Sequence, residues 1–316
     1  AKARVEAALA EMACRTESET TASQATDSQA ADSQTLVLAG PHHGITVTGA
    51  KELESFLFEL IPDWPRLTDE TEADQAAIDP IAVKSEDGHW RISSPHVDLE
   101  EFDLDDGYMV ANTLIGALIA GYVAQDENLA SLHAGAVRIG DGLIIMLGDN
   151  LSGKSTFSTV LAARGQKFFT DDRIVLDLST DRPAGRSLAI APKLRLPLPE
   201  EADEDYRDFV DDNSLLTWPE MTVLRLAPDL AAEFGGSLPI TAIVHLRRDT
   251  KAGQPTLTTM PRPAMILVLL EQIFAPHFNQ QGELAACVRL AGDVDCWQLD
   301  YASAFDAAET LIAHFS

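Results

Sequence analysis

The chain has 316 residues, 46% of them hydrophobic, and a formal charge of −27 from 50 acidic and 23 basic residues. A balance of that sign leaves no basic footprint for nucleic acid or an anionic membrane, so neither is expected as a partner. The length suits two domains, or one large one, with ample apolar content for a core. Only seven of the basic residues are lysines, and an acidic, lysine-poor surface suits a protein kept soluble in high salt.

Three cysteines, Cys14, Cys287 and Cys296, are too few and too scattered for a disulfide framework or a zinc site. They point to a reducing, cytoplasmic setting. The N-terminal residues show no basic region followed by an apolar core, so no signal peptide is expected. The longest apolar stretch, LIGALIAGYVA at 114–124, is too short to span a bilayer and reads as a buried helix.

Residues 1–14 have the pattern of a short helix. Residues 15–34, RTESETTASQATDSQAADSQ, contain no large apolar side chain, cannot repay the entropy of ordering, and read as a disordered linker. From Thr35 the pattern changes. TLVLAG and GITVTG read as short strands between turn residues, and KELESFLFELI at 51–61 spaces Leu53, Phe56, Leu57 and Leu60 as a helix does. A strand WRISS and a helix over 109–126 complete a small α+β domain over 35–128.

Residues 129–316 read as α/β. The runs AGAVRI and GLIIMLG are joined by the turn GDG at 140–142. A helix SGKSTFSTVLAARG follows, with Phe157, Val160 and Leu161 on one face and Gly165 as its stop. Then come strands KFFTDD and RIVLDLS. PLPEEADEDYRDFVDDNS reads as an acidic, exposed insertion. ITAIVHLRR is expected as a core strand, PAMILVLLEQIFA as a buried helix, and CWQLDY with AFDAAETLIAHF as the last strand and helix.

The chemistry concentrates at Gly148-Asp149-Asn150-Leu151-Ser152-Gly153-Lys154-Ser155, which fits G-x-x-x-x-G-K-[ST], with Thr156 next in the chain. An apolar strand precedes it and a helix follows. Glycines let backbone N–H groups wrap phosphate oxygens, and the helix N-terminus adds a favourable field. Lys154 would reach the β- and γ-phosphates of ATP, and the Ser155 hydroxyl would hold Mg²⁺. His133 falls at the start of the strand leading towards the loop. Asp171 and Asp172 end the next strand and would lie near the phosphates if KFFTDD pairs beside the loop's strand. One of these carboxylates can help hold metal, and the other can accept a proton from an attacking hydroxyl. Asp177 in RIVLD has the look of a Walker B aspartate, although an aspartate leaving a strand is the plainer reading. His42-His43 has no third metal ligand at sensible spacing and reads as a loop.

The segments LHAGAV, GDNLSGKS and RGQKFFTDD, in that order and spacing, resemble the motifs LHG, GxSGxGKS and RGHxLVADD of the bacterial HPr kinase/phosphorylase family. The resemblance covers roughly residues 130–195 well, and the rest of the C-terminal half loosely. It implies an α/β P-loop kinase core of the HPr kinase and phosphoenolpyruvate carboxykinase type over 129–316, using ATP and Mg²⁺ to phosphorylate a serine. It makes Asp172 the proton acceptor, Lys154 the group that stabilises the transferred phosphoryl, Ser155 a Mg²⁺ ligand and His133 the support of the acid–base site. It also implies a homo-oligomer. The family's further signature, similar to EIRGLG, has APKLRLPLP as its counterpart, with Arg195 at the arginine and Lys193 where the glutamate would fall. A charged lysine cannot ligate Mg²⁺, so Asp171 becomes the candidate second metal ligand, and the acceptor is expected to differ from that of the true enzymes. The expected function is transfer of the γ-phosphoryl group to a hydroxyl on a protein, peptide or small molecule. The alternatives are a nucleotide-binding regulatory module without catalysis, and a P-loop ATPase.

Overall fold

A computed structural model of the chain describes residues 35–68, 80–86, 89–97, 107–149, 152–249 and 251–316. The helix and linker expected over 1–34 lie outside the described residues, as do Asn150 and Leu151 of the glycine-rich loop. The fold is mixed α/β, with three sheets and seven α-helices among the described residues.

The first layer holds strands β1 (Thr35–Leu38), β2 (Ile45–Thr48), β3 (Ile81–Glu86) and β4 (His89–Ser93), with helices α1 (Glu54–Leu60) and α2 (Gly107–Val123). The strands pair in chain order, antiparallel at both ends and parallel between β2 and β3. Helix α2 is apolar around most of its circumference because it is enclosed. Leu114, Leu118 and Val123 have no exposed surface, and the helix packs against α1, β4 and the next layer's first strand. At 17 residues it is the long apolar helix expected over 109–126, and no described helix is long and apolar enough to cross a membrane. The apolar cluster around it runs on without a break to Leu129, Val175, Ile190 and Val223 of the second half.

That half begins with β5 (Leu129–His133), β6 (Gly135–Ile139) and β7 (Gly142–Leu147). Helix α3 (Lys154–Ala163), β8 (Lys167–Thr170), β9 (Arg173–Asp177), β10 (Ala184–Arg186) and β11 (Lys193–Arg195) follow. Next are α4 (Glu204–Asn213), β12 (Ser214–Trp218), β13 (Met221–Leu224) and the long β14 (Ser237–Arg248). The chain closes with β15 (Thr256–Thr259), α5 (Arg262–Gln272), β16 (Ile273–Phe274), α6 (Gln280–Asp293), β17 (Asp295–Tyr301) and α7 (Ala304–Phe315).

A ten-stranded sheet runs β16-β5-β9-β10-β14-β7-β6-β8, with β17 joined to β14 and β15 to β17, while β11, β13 and β12 form a small third sheet. β7 is parallel to β14, and β14 to β17. β6 is antiparallel to both β7 and β8, so β8 points the same way as β7. The carboxyl ends of β7, β8, β14 and β17 therefore share one edge. Every residue of β7 is buried, as a central strand covered on both faces requires. One face carries Phe157, Val160 and Leu161 of α3 with α7, and the other carries Met265 and Leu269 of α5 with α6.

Two expectations are corrected. KFFTDD does not pair beside the loop's strand, because the β6–β7 hairpin folds back and inserts β6 between them. The acidic stretch after Pro197, read as an exposed insertion, is exposed along its acidic residues but also ordered and anchored. It forms α4, capped by the Asp203 carboxylate accepting from Tyr206 N–H at 2.8 Å. Its acidic residues face water, while Tyr206 and Val210 are buried. The Tyr206 hydroxyl meets Thr159 Oγ1 of α3 at 2.7 Å, so the acidic helix braces the helix that follows the glycine-rich loop.

Candidate functional site

The loop after β7 enters α3 through Gly153, whose φ of 92° is a left-handed conformation that favours glycine. A Cβ on Gly148 would approach Ser152 Oγ to 2.6 Å and Leu246 O to 3.0 Å, so the turn is drawn tight against β14. Helix α3 has no side-chain cap, whereas α4, α6 and α7 are capped by Asp203, Asn279 and Ser303. Its first N–H groups are left for another acceptor, the arrangement that anions exploit.

Lys154 is buried and donates from Nζ to Gly148 O at 2.8 Å and Asp149 O at 3.2 Å. Burial holds its ammonium below the usual lysine value, against the attraction of Asp172 and Asp149. Ser155 and Thr156 sit half-buried in the first turn of α3.

The aspartates differ in environment. Asp171 is 2% exposed. One oxygen accepts from Lys193 N–H at 3.3 Å, and Oδ1 is buried with no partner among the described residues. Burial pushes its carboxyl up to about 6, with Asp172 adding to the rise, while the Lys193 charge and the Ser155 hydroxyl oppose it. Asp172 is 40% exposed at the side chain. Its Oδ1 lies 3.3 Å from His133 Nε2 and its Oδ2 lies 4.0 Å from Lys193 Nζ. His133 is the last residue of β5, one element before the strand to which its position in the sequence had pointed. Ala134 N–H donates to Asp172 O at 2.9 Å, which fixes the two segments together. Burial, then the Lys154 charge, hold the imidazole below its usual value, against the pull of Asp172.

The structure thus brings Lys154, Ser155, Asp171, Asp172 and His133 to one edge of the sheet. Arg195 is exposed on β11 opposite Met221, two residues beyond Lys193, and makes no hydrogen bond or ion pair among the described residues. Asp177 lies elsewhere, at the far end of β9, where it pairs with Arg186 at 2.9 Å and accepts from Ser179. His42 and His43 form a bend that hydrogen-bonds to Asp126 and Gln125.

Residues not legible as functional also contribute. The Tyr301 hydroxyl, at the end of β17, donates to Ser152 O and lies 3.2 Å from where a Cβ on Gly153 would sit. Its ring packs edge-on against Phe157 of α3. Tyr301→Phe is expected to cost about 1 kcal/mol of stability. Thermal unfolding would test this, and an unchanged midpoint would show that the hydroxyl does not hold the loop. Asn112 of α2 is the second such residue. Its Oδ1 accepts from Lys193 Nζ at 2.6 Å and carries the first layer into the site. The one signal available in the sequence was an amide within an otherwise apolar helix.

The residues present fit Mg²⁺ and a nucleoside triphosphate. A hard cation takes oxygen ligands, often one or two carboxylates with phosphate oxygens. Asp171, with Oδ1 buried and unpartnered among the described residues and the Ser155 hydroxyl acting on the same carboxyl, offers such a position. Among the described residues no group of three His, Cys, Asp or Glu side chains could hold a metal unaided.

The fold and the site define a mixed α/β protein whose glycine-rich loop joins a central buried strand to a helix, beside a paired histidine and aspartate. Among solved structures the chain matches the HPr(Ser) kinase/phosphatase from Coxiella burnetii, at 15% identity over 58% of this chain and 94% of that one, with a TM-score of 0.31. No family model matches the chain, and a search of curated proteins finds no relative.

Proposed function

We propose that this protein is an ATP- and Mg²⁺-dependent kinase of the HPr-kinase-like type that transfers the γ-phosphoryl group to a hydroxyl. The observation that carries the reading is the common edge: Lys154 and Ser155 open α3, while Asp171 and the Asp172–His133 pair follow β8 and β5 at the same place. The backbone of the loop and the open N-terminus of α3 bind the phosphates. Lys154 turns from its carbonyl partners to the β- and γ-phosphates. Ser155 and Asp171 hold Mg²⁺, which when bound offsets charge on the transferring group.

Asp172, half-exposed, faces the incoming acceptor. It takes the hydroxyl proton as the acceptor oxygen bonds to the γ-phosphorus and the bond to the bridging oxygen breaks, releasing ADP. His133, 3.3 Å from Asp172 Oδ1, orients that side chain. Most of the acceleration then comes from positioning and electrostatics. The acceptor is a hydroxyl of a protein, peptide or small molecule. A switch-type ATPase loses its Walker B candidate, because Asp177 is committed to Arg186.

Titration with Mg·ATP tests the binding half of the proposal. Lys154→Met is expected to weaken affinity by about tenfold to a hundredfold, the scale of a hydrogen bond to a charged group. Equal affinity in wild type and variant would remove the loop from nucleotide binding.

A further inference from the structure

Resting on that reading, we infer that Lys193, held by Asn112, is a second fixed positive charge of the transfer site, and that the site consequently takes a single divalent cation. Lys193 is doubly tied to the aspartate pair. Its backbone N–H donates to Asp171 Oδ2 at 3.3 Å, and its Nζ stands 4.0 Å from Asp172 Oδ2. Its side chain is 12% exposed, so the ammonium is partly removed from solvent screening. The preceding loop is pinned as well, with Ser187 Oγ donating to Phe169 O at 3.2 Å and Ala191 N–H to Leu60 O at 2.8 Å.

Asn112 decides what this ammonium can do. An amide oxygen at 2.6 Å orients Nζ without cancelling its charge, where a carboxylate would have formed a neutral pair. Asp172 then has both oxygens faced by protein groups, His133 on one side and Lys193 on the other. Of the four oxygens of this aspartate pair, Asp171 Oδ1 is the one buried without a hydrogen-bond partner among the described residues. Lys154 and Lys193 already face this aspartate pair before any cation enters, with Arg173 and Asp149 close enough to act on Lys154 as well. One divalent ion has an oxygen to bind, and a second would have to displace Lys193 from beside Asp172. Lys193 thereby presents to the transferring phosphoryl group the charge that a second metal would otherwise supply. Asn112 acts through it as a positioning residue.

The test counts manganese bound to the full chain in the presence of a non-hydrolysable ATP analogue, by titration and electron paramagnetic resonance. One tightly bound Mn²⁺ per bound analogue is expected. Two would overturn the single-cation assignment while leaving the kinase reading intact, whereas no analogue binding at all would remove that reading and this inference with it. In parallel, Lys193→Met should lower kcat about 100-fold with little change in KM for Mg·ATP, and Lys193→Arg should retain most of the rate. Asn112→Ala should lower kcat about tenfold, and the double variant Asn112→Ala/Lys193→Met should be no slower than Lys193→Met alone. Wild-type kcat in Asn112→Ala, or effects that multiply in the double variant, would overturn the positioning role. Unfolding midpoints recorded alongside separate a loss of fold from a loss of rate.

Discussion

Asp172→Asn is expected to slow phosphoryl transfer by about 10²–10⁴-fold, the range for loss of a positioned general base, while Mg·ATP affinity changes by no more than a few-fold. Asparagine keeps the shape of the side chain, and the backbone bond from Ala134 N–H to the carbonyl of residue 172 is unaffected. What it removes is the ability to take a proton and the charge beside His133 and Lys193. The loop, the open N-terminus of α3 and Lys154 all remain, so binding should survive. Single-turnover rates with saturating nucleotide separate the two effects. Equal losses in affinity and rate would mean that Asp172 binds nucleotide or metal and does not serve as the base.

Asp171→Asn should show the opposite pattern in stability. The wild-type carboxyl titrates at about 6 in the folded chain against an ordinary 3.8, chiefly because it is buried. The folded state therefore holds the proton more tightly than the unfolded one. The stability that this provides is present below pH 3.8 and is lost as pH rises through about 6. At about 1.4 kcal/mol per pH unit, the ionised group costs about 3 kcal/mol once the pH is above about 7. In metal-free buffer the advantage of Asp171→Asn over wild type should grow by about that amount between pH 3 and 8. His133, whose depressed pKa costs stability as pH falls below 6.5, is common to both proteins and cancels in the difference. Adding Mg²⁺ with nucleotide should recover the wild type and not the variant, because a ligand stabilises only the state that binds it. Parallel pH curves for the two proteins would show that Asp171 is not held against its charge.

The glycine-rich loop was legible because its requirements are local. A buried strand, two glycines, Lys154, Ser155 and the start of a helix are contiguous in the chain, and β7 and α3 form where the apolar runs predict them. His133 and the aspartates could be picked out by residue type and spacing, but their meeting could not, since it depends on β5 pairing antiparallel with β9, which sets His133 opposite Arg173. Lys193 was visible only as a departure at an expected position, and its partner lies 81 residues earlier on a helix of the first layer. Tyr301 is 149 residues from the carbonyl it holds. No periodicity encodes contacts of that range. Helix α4 was misread because eight acidic residues from Glu200 to Asp212 outweigh two buried ones in any average, although Tyr206 and Val210 are spaced four apart as one helical face requires.

The central claim is that this edge of the sheet transfers a phosphoryl group. The most direct test incubates ATP labelled at the γ-phosphate with Mg²⁺ and an extract of the host, with wild type run beside Asp172→Asn, at low and high salt. A labelled protein, peptide or small molecule that appears only with the wild type is the predicted result. Tight nucleotide binding without transfer to any acceptor under any condition would contradict the claim and leave a regulatory module that binds nucleotide without using it.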